Sequence, residues 1–425
     1  MAFTLSRFGR KFSAASGIVD LMDDLGSALA ANPDMLMLGG GMPAHIPEAE
    51  AICHRHLKAL VEHATESQRL VGRYQGPLGD DDVREHLAAF LAERYGWKVG
   101  RANIAITNGG QSAFGILANM LAGEMGDGAR RRIHLPLVPE YLGYADVGFC
   151  DDFFSATRPA ISLLPERRFK YHIDFEALQG ESALGPATGA LCLSRPTNPS
   201  SNVTSVAELA RLDGLARAQG LPLIIDAAYG VPFPGVQFFD HDAYWSDNVI
   251  FMLSLSKLGL PGLRSGFIVA HEDFVQAFAR ANTILNLASG NLGPMLTLSL
   301  LKSGELQDIG ERLLAPWYQR KAAQAEALLQ DALKDVPCRF HVVEGSFFLW
   351  LWFPELPVST VELYRRLREA GVLVIPGDSS FPGISGDWPH SRQCIRVSYA
   401  VSEAVLEKAA VIMGRVLGEI HAGGS

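Results

Sequence analysis

Lys257 lies in the run SLSKLGLPGLRSG (Ser254 to Gly266), among serines, glycines and apolar residues, directly after the apolar run VIFML (Val249 to Leu253). Such a run reads as a buried strand, which places the lysine at the mouth of a core. Burial disfavours the ammonium form, and a lysine that gives up its proton can attack a carbonyl as a nucleophile. A surface lysine following a strand is the other reading of the same residues. Asp226 ends the nearly all-apolar run LPLIID, where an unpaired carboxylate is expensive. It caps the next helix, or it holds a proton on the ring nitrogen of a ligand, to which Tyr229 can also present its hydroxyl.

Other polar groups follow other apolar runs. ALCLS is followed by RPTNPSSNV, a turn that projects Asn198. NIAIT leads into NGGQSAFGILANML, where Asn108 to Ser112 form a glycine-bearing turn ahead of a helical pattern. The free N–H groups of a helix start bind anions, phosphate above all, although a plain tight turn reads the same way. The turn has neither the P-loop lysine pattern nor G-x-G-x-x-G, which disfavours an ATPase or a dinucleotide fold. Arg396, in the apolar run IRVSY, needs an anion, either a structural ion pair or a ligand. Together these pieces offer a phosphate site at a helix start with Arg264, a carboxylate for a ring nitrogen and an amine for an aldehyde. Those are the requirements of pyridoxal phosphate, whose ring takes up the electrons of a carbanion next to an amine. Once an incoming amine displaces it, Lys257 is free to act as general base and acid.

The elements that must position these groups are legible as a rhythm. NIAIT, RIHLPLV, ALCLS, LPLIID, NVIFMLS and GFIVA alternate with helical patterns, and each precedes a loop with Gly, Pro or Asn. This predicts an α/β fold with a mainly parallel sheet and helices on both faces, with ligands bound beyond the carboxyl ends of the strands. A long helical segment through LLAPWYQRKAAQAEALLQDALKD follows, then GSFFLWLWF and CIRVSYA, each with a helix after it. The expected division is a large domain over 45–300 and a smaller α+β domain made of 1–44, the N-terminal arm, with 301–425.

Composition narrows the partners. A formal net charge of −9 over 425 residues argues against a nucleic-acid footprint. No stretch approaches the roughly 20 apolar residues of a membrane span. The five cysteines, Cys53, Cys150, Cys192, Cys338 and Cys394, are scattered and never spaced C-x-x-C, as reduced thiols of a cytoplasmic protein would be. The first residues carry Arg7, Arg10 and Lys11 with no acid before Asp20, faintly like a transit peptide; an ordered arm is the preferred reading.

Along nearly its whole length the chain resembles the fold type I, class I pyridoxal-phosphate aminotransferases. The resemblance rests on GGGMP (Gly39 to Pro43), YQGPLGDDDVRE (Tyr74 to Glu85), TNGGQSA (Thr107 to Ala113), RPTNP (Arg195 to Pro199), DAAYG (Asp226 to Gly230), SLSKLGLPGLRSG and IRVSY (Ile395 to Tyr399), in that order. It implies a large domain with a seven-stranded type of sheet and a smaller C-terminal α+β domain. By the same resemblance Lys257 would bind the cofactor aldehyde, Asp226 would pair with the ring nitrogen, and Tyr229 and Asn198 would bond its phenolic oxygen. Ser254, Ser256, Arg264 and the backbone of Gly110, Gln111 and Ser112 would hold the phosphate, joined by Tyr74 from a neighbouring subunit, which implies a homodimer. Tyr141 would stack on the ring, and Arg396, with Gly41 and Asn198, would take the substrate α-carboxylate as a bidentate fork. Two departures stand out: Pro199-Ser200-Ser201 where the turn usually ends Pro-Thr-Gly, and Ala227 where a polar residue is common.

VPEYLGYAD, AYGVPFPG, SLSKLGLPG, EGSFFLWLWF and WPHSRQCIRVSY resemble the branch of this family that acts on valine and pyruvate. The expected reaction moves the amino group of valine, or a similar aliphatic amino acid, to pyruvate, giving alanine and a branched 2-oxo acid in a ping-pong cycle. The stretch Ala281 to Leu301 holds no charge, which suits an aliphatic side chain, or simply an interface helix. Ile18, Leu21 and Met22 are candidates for further apolar wall, or for a helix face on the core. The competing readings are an aminotransferase with another donor, a carbon–sulfur lyase on the same cofactor, and a DNA-binding regulator, which would need a basic helix-turn-helix module.

Overall fold

The computed structural model describes residues 3–14, 16–17, 19, 26–27, 32–180 and 184–423. Ile18, Leu21 and Met22 lie outside the described residues. Among these residues the strands, in chain order, are β1 (Leu36–Met37), β2 (Ile104–Thr107), β3 (Gly123–Glu124), β4 (Arg130–Leu135) and β5 (Phe154–Ala156). They continue with β6 (Ala160–Leu164), β7 (Arg168–His172), β8 (Thr188–Ser194), β9 (Leu223–Asp226), β10 (Val249–Ser254) and β11 (Gly266–Val269). The last are β12 (Arg339–His341), β13 (Phe348–Trp352), β14 (Val372–Leu373), β15 (Ile375–Pro376) and β16 (Cys394–Ser398).

The first sheet runs β2-β11-β10-β9-β8-β4-β3, with β5 also on β4. From β10 through β9 and β8 to β4 and β5 every pairing is parallel, whereas β11 is antiparallel to both β10 and β2. Every residue of β8 and β10 is buried, the pattern of a strand covered on both faces. Helix Gly110–Leu121 packs on β2, β4, β10 and β11. Helix Val206–Ala218, between β8 and β9, starts at Ser205 in a capping box with Glu208. The six apolar runs of the sequence all appear as strands of this sheet.

Register aligns the strand ends. Ser194 pairs with Asp226, and Asp226 with Met252. Ser254 pairs with Gly266, which pairs with Thr107 at the end of β2. Because β11 is antiparallel to its neighbours, its start lies beside the ends of β10 and β2. One edge of the sheet therefore carries the turns after β2, β8, β9 and β10 and the turn before β11.

The second sheet runs β15-β16-β13-β12-β7-β6. Its members come mainly from residues after 301, but β6 and β7 form a hairpin inserted from the middle of the chain, with β7 parallel to β12. The hairpin was not among the strands expected. In β7 only Phe169 and Tyr171 are buried, between charged and polar neighbours, too weak an alternation to stand out. β1 pairs with β14, joining the end of the N-terminal arm to the C-terminal residues. Helix Arg7–Phe12 of the arm sets Phe8 and Phe12 edge-on against Phe149, each at 5.5 Å, and Lys11 Nζ donates to Cys150 O at 2.6 Å.

Gly189 fixes how helix Gly110–Leu121 sits on the sheet. A Cβ built on Gly189 would lie 2.0 Å from the carbonyl oxygen of Leu121, the last residue of that helix. Only glycine lets β8 approach so closely. A Gly189→Ala protein should therefore be destabilised by about 1–3 kcal/mol, seen as a lower urea midpoint at unchanged slope. An unchanged midpoint would show that the helix end does not bear on this strand.

Candidate active site

Lys257 occupies the single turn Ser256–Leu258 that follows β10. The residue is partly exposed, but its amine is enclosed, and Nζ donates to Gly41 O at 2.6 Å. Burial, then the charges of Arg396 and Arg264, lower its pKa to about 8 against the pull of Asp226. The amine is thus poised to be neutral close to physiological pH, as a nucleophile or proton carrier must be.

Asp226 accepts from Tyr144 Oη at 2.6 Å on Oδ2 and from the Ala228 N–H at 3.0 Å on Oδ1. Burial holds its pKa above the ordinary carboxylate value despite these two bonds and Lys257. The side chain at 227, a buried methyl, adds no polar contact, and Tyr144 supplies a side-chain bond to this carboxylate. Tyr229 lies edge-on to Phe347 and Phe348 at 5.0 and 5.8 Å, and its ring centroid is 5.2 Å from Lys257 Nζ. Its hydroxyl is buried with no hydrogen-bond partner, an arrangement that calls for a polar ligand atom. Tyr141 meets Tyr144 edge-on at 5.5 Å.

Arg396, on β16, is 3 % exposed, yet no carboxylate neutralises it among the described residues. Nη1 donates to Asn198 Oδ1 at 2.7 Å, Nη2 donates to Gly39 O at 2.8 Å, and the Phe348 ring lies 4.2 Å from Cζ. Nε has no partner. Burial lowers the pKa of the guanidinium, so it waits for an anion. A Cβ on Gly41 would sit 3.7 Å from Lys257 Nζ and 3.9 Å from Phe348 Cζ, so the bare backbone at 41 leaves room between the amine and the ring.

The phosphate candidates gather at the start of helix Gly110–Leu121. No side chain caps this end, whose N-cap, Gly109, has φ of 90°, so the first N–H groups are left for an anion. Arg264, an exposed side chain, has Nη1 3.4 Å from both Ser256 Oγ and Pro261 O, with no carboxylate bonded to it among the described residues. Nη2 lies 2.8 Å from where a Cβ on Gly109 would stand, and the φ of 90° at that place is what favours glycine. Ser254 Oγ accepts from the Ser256 N–H at 3.2 Å, and Ser112 Oγ from Asn286 Nδ2 at 3.4 Å. The Gln111 side chain turns away to donate to Gly143 O at 3.2 Å, steadying the Tyr141–Tyr144 turn and leaving its main chain for the cradle. Tyr74 stands apart, 81 % exposed on this chain.

Three neighbours of the cluster escaped the reading of the sequence. Tyr144 is three residues after Tyr141 on one turn, a spacing that hints at shared orientation. Phe348 is indistinguishable from core in SFFLWLWF. Glu140 is fully buried, its Oε1 accepting from the Ser194 N–H at 2.7 Å and its Oε2 bonded to Ser194 Oγ. Burial, the largest effect, pushes its pKa up to about 8 against the Ser194 bonds. An acid straight after the apolar run IHLPLVP was its only signal. The 195–202 turn closes through Ser201 N to Thr197 O at 2.8 Å and Thr197 N to Asn202 O at 2.9 Å. Ser201 takes φ of 62° there, which costs a side-chain-bearing residue about 1–2 kcal/mol. The loop thus keeps Asn198 on Arg396 without a glycine.

The unpartnered hydroxyl of Tyr229, the uncapped helix and two arginines without acids fit a ligand with a phosphate, a polar ring and a second, carboxylate-bearing component. Residues 156–412 match the family Aminotransferase class I and II. The valine–pyruvate aminotransferase of Escherichia coli K12 is 43 % identical over 96 % of this chain and 97 % of its own. A crystal structure of valine-pyruvate aminotransferase from Salmonella typhimurium LT2 superposes with a TM-score of 0.87 at 41 % identity, covering 96 % of this chain and 100 % of that one. A Psychrobacter arcticum 273-4 protein assigned as an amino-acid aminotransferase gives 0.96 at 39 % identity, covering 99 % and 100 %.

The lowered pKa of Lys257 has a kinetic signature. In protein stripped of cofactor, the rate of pyridoxal phosphate capture should climb with pH up to about 8 and level off above it, because only the neutral amine attacks. Stopped-flow absorbance measures this. A rate still climbing near pH 10 would mean that the amine keeps an ordinary ammonium pKa.

Proposed function

This chain belongs to the class I and II aminotransferase family, and on that premise we propose that it transfers the amino group between valine, or a similar aliphatic amino acid, and pyruvate, yielding alanine and a branched 2-oxo acid. It is a pyridoxal-phosphate enzyme. When bound, that cofactor supplies an aldehyde for the amine and a conjugated ring that takes up electrons from the substrate α-carbon. The observation that carries the reading is Lys257, an enclosed amine with a pKa of about 8, under the charges of Asp226, Arg396 and Arg264.

The residues divide the work. Lys257 Nζ would accept the proton from the substrate α-carbon and pass it to the former aldehyde carbon, because returning it would leave the amino group where it began. Asp226, oriented by Tyr144 and the Ala228 N–H, meets the ring nitrogen with negative charge. Tyr229 and Asn198 would offer polar atoms to the ring oxygen, and Tyr141 would cover the ring. Arg264, Ser254, Ser256 and the Gly110–Ser112 backbone hold the phosphate. Arg396 binds the α-carboxylate beside Asn198 and Gly41, and the ring of Phe348 braces it.

A homodimer completes this reading. Asn291 Nδ2 donates to Arg69 O and Arg73 O at 2.9 and 3.0 Å, which sets the 69–74 stretch beside the uncharged 281–301 stretch. Val71, Tyr74, Ile284 and Leu287 are 82, 81, 86 and 62 % exposed on this chain, an apolar patch of the kind that a second copy covers. Tyr74 would then reach the other copy's phosphate. The fold is read as a unit of 45–300 and a unit of 1–44 with 301–425, the 160–172 hairpin being lent to the second. Among the described residues no helix is long and apolar enough to cross a membrane. The five free cysteines support a cytoplasmic location.

The test is optical. L-Valine should bleach the visible band of the loaded enzyme, and pyruvate should restore it with formation of alanine. Lys257→Ala should lower turnover by at least about 10²–10⁴-fold. Release of pyruvate from a sulfur amino acid without any acceptor, in place of the valine response, would overturn the transfer reading in favour of elimination.

A further inference from the structure

Ser201 and Ser346 both hold left-handed backbone, with φ of 62° and 58°, a region that glycine enters freely and other residues enter only with compensation. Both are fully buried, at 0 % exposure. Ser201 uses every polar group it has. Its N–H donates to Thr197 O at 2.8 Å and its carbonyl accepts from the Glu344 N–H at 3.1 Å. Its hydroxyl donates to Phe348 O at 2.6 Å and lies 2.6 Å from Ser346 Oγ. With the Ser201 hydrogen given to Phe348 O, the hydrogen between the two hydroxyls comes from Ser346.

The Ser201–Phe348 bond stands in for a missing strand. Phe347 O accepts from the Tyr399 N–H, on the β16 side of β13. In an extended strand the next carbonyl, that of Phe348, faces the opposite side, towards β12. β12 pairs Phe340 with Leu351 and ends at His341, short of the stretch opposite Phe348. A buried carbonyl would be orphaned there without the Ser201 hydroxyl.

The two segments so joined belong to different sheets. The 195–202 turn leaves β8 of the first sheet and carries Asn198, whose Oδ1 accepts from Arg396 Nη1. Phe348 opens β13 of the second, where Trp350 pairs with Arg396 itself, and the Phe348 ring braces the guanidinium at 4.2 Å. A shift of either segment relative to the other moves a group that touches Arg396.

We infer that Ser201 is a positioning residue for the substrate carboxylate: its hydroxyl locks the Asn198 turn to β13, so that Arg396, Asn198 and Phe348 form one preset clamp. This rests on the reading of Arg396 as the carboxylate site. Glycine at 201 relieves the backbone but deletes the lock, so the fold survives while the clamp loosens.

Isovalerate, an unreactive branched carboxylate, is titrated into the loaded enzyme by its effect on the visible band, alongside valine kinetics, in the parent, Ser201→Gly, Ser346→Gly and Arg396→Lys. Ser201→Gly should raise the isovalerate Kd and the valine KM roughly five- to twenty-fold, the loss of one buried hydrogen bond, with kcat within about two-fold. Ser346→Gly, which keeps the Ser201–Phe348 bond, should leave both constants within about two-fold of the parent. If Ser201→Gly changes only the melting temperature, while Arg396→Lys weakens both constants, Ser201 is merely structural and the inference falls. If Arg396→Lys leaves isovalerate binding intact, the carboxylate reading itself fails. Should Ser201→Gly not fold, Ser201→Ala, which removes the same hydroxyl, is titrated in its place, and an unchanged Kd there overturns the inference.

Discussion

A guanidinium buried without a carboxylate is the constraint around which this molecule is arranged. Removing such a charge from water costs several kcal/mol, and Arg396 recovers it only in part, from an amide oxygen, a main-chain carbonyl and the face of a ring. Arg264, on the exposed side of the site, has no acid partner among the described residues, and burial, then the charges of Arg396 and Arg264, lower the pKa of Lys257. Asp226 is the carboxylate set against Lys257, while burial holds Glu140 towards its neutral form near pH 7. The site is thus electrostatically incomplete at Arg396, and on the proposed function a substrate carboxylate supplies the missing anion there. Only a rigid frame can hold such a deficit open, and the aligned ends of β8, β9 and β10 provide one.

Much of this was legible because apolar strands make their polar ends conspicuous. Lys257, Asp226, Asn198 and Arg396 each interrupt or end an apolar run, and in a parallel sheet strand ends converge. Groups that act inside apolar sequence were invisible for the complementary reason. Phe348 braces an arginine, yet nothing distinguishes it from the core aromatics around it. Tyr144 gives Asp226 a hydrogen bond from a turn whose path depends on tertiary packing. Left-handed backbone at Ser201 and Ser346 leaves no mark in residue type, because serine is not the residue that usually signals it.

The two departures from the family pattern have different weights. At 227 a methyl group contributes nothing polar, and Asp226 keeps its side-chain partner through Tyr144. At 200–201 the change reaches further, since the hydroxyl of Ser201 is engaged on both sides while the Ser200 hydroxyl, also buried, has no partner. Neighbouring serines in one turn therefore do opposite things, one joining two sheets and the other carrying an unmet hydrogen-bonding group.

The hairpin of β6 and β7 has a consequence for how the chain is made. β7 is complete once His172 leaves the ribosome, but its parallel neighbour β12 begins only at Arg339. Through all the synthesis between, one edge of that ribbon has no native strand to accept its hydrogen bonds, the condition under which chains pair wrongly with one another. The polar residues alternating through Arg168, Lys170 and His172 then have a second use, as protection for an edge that must wait.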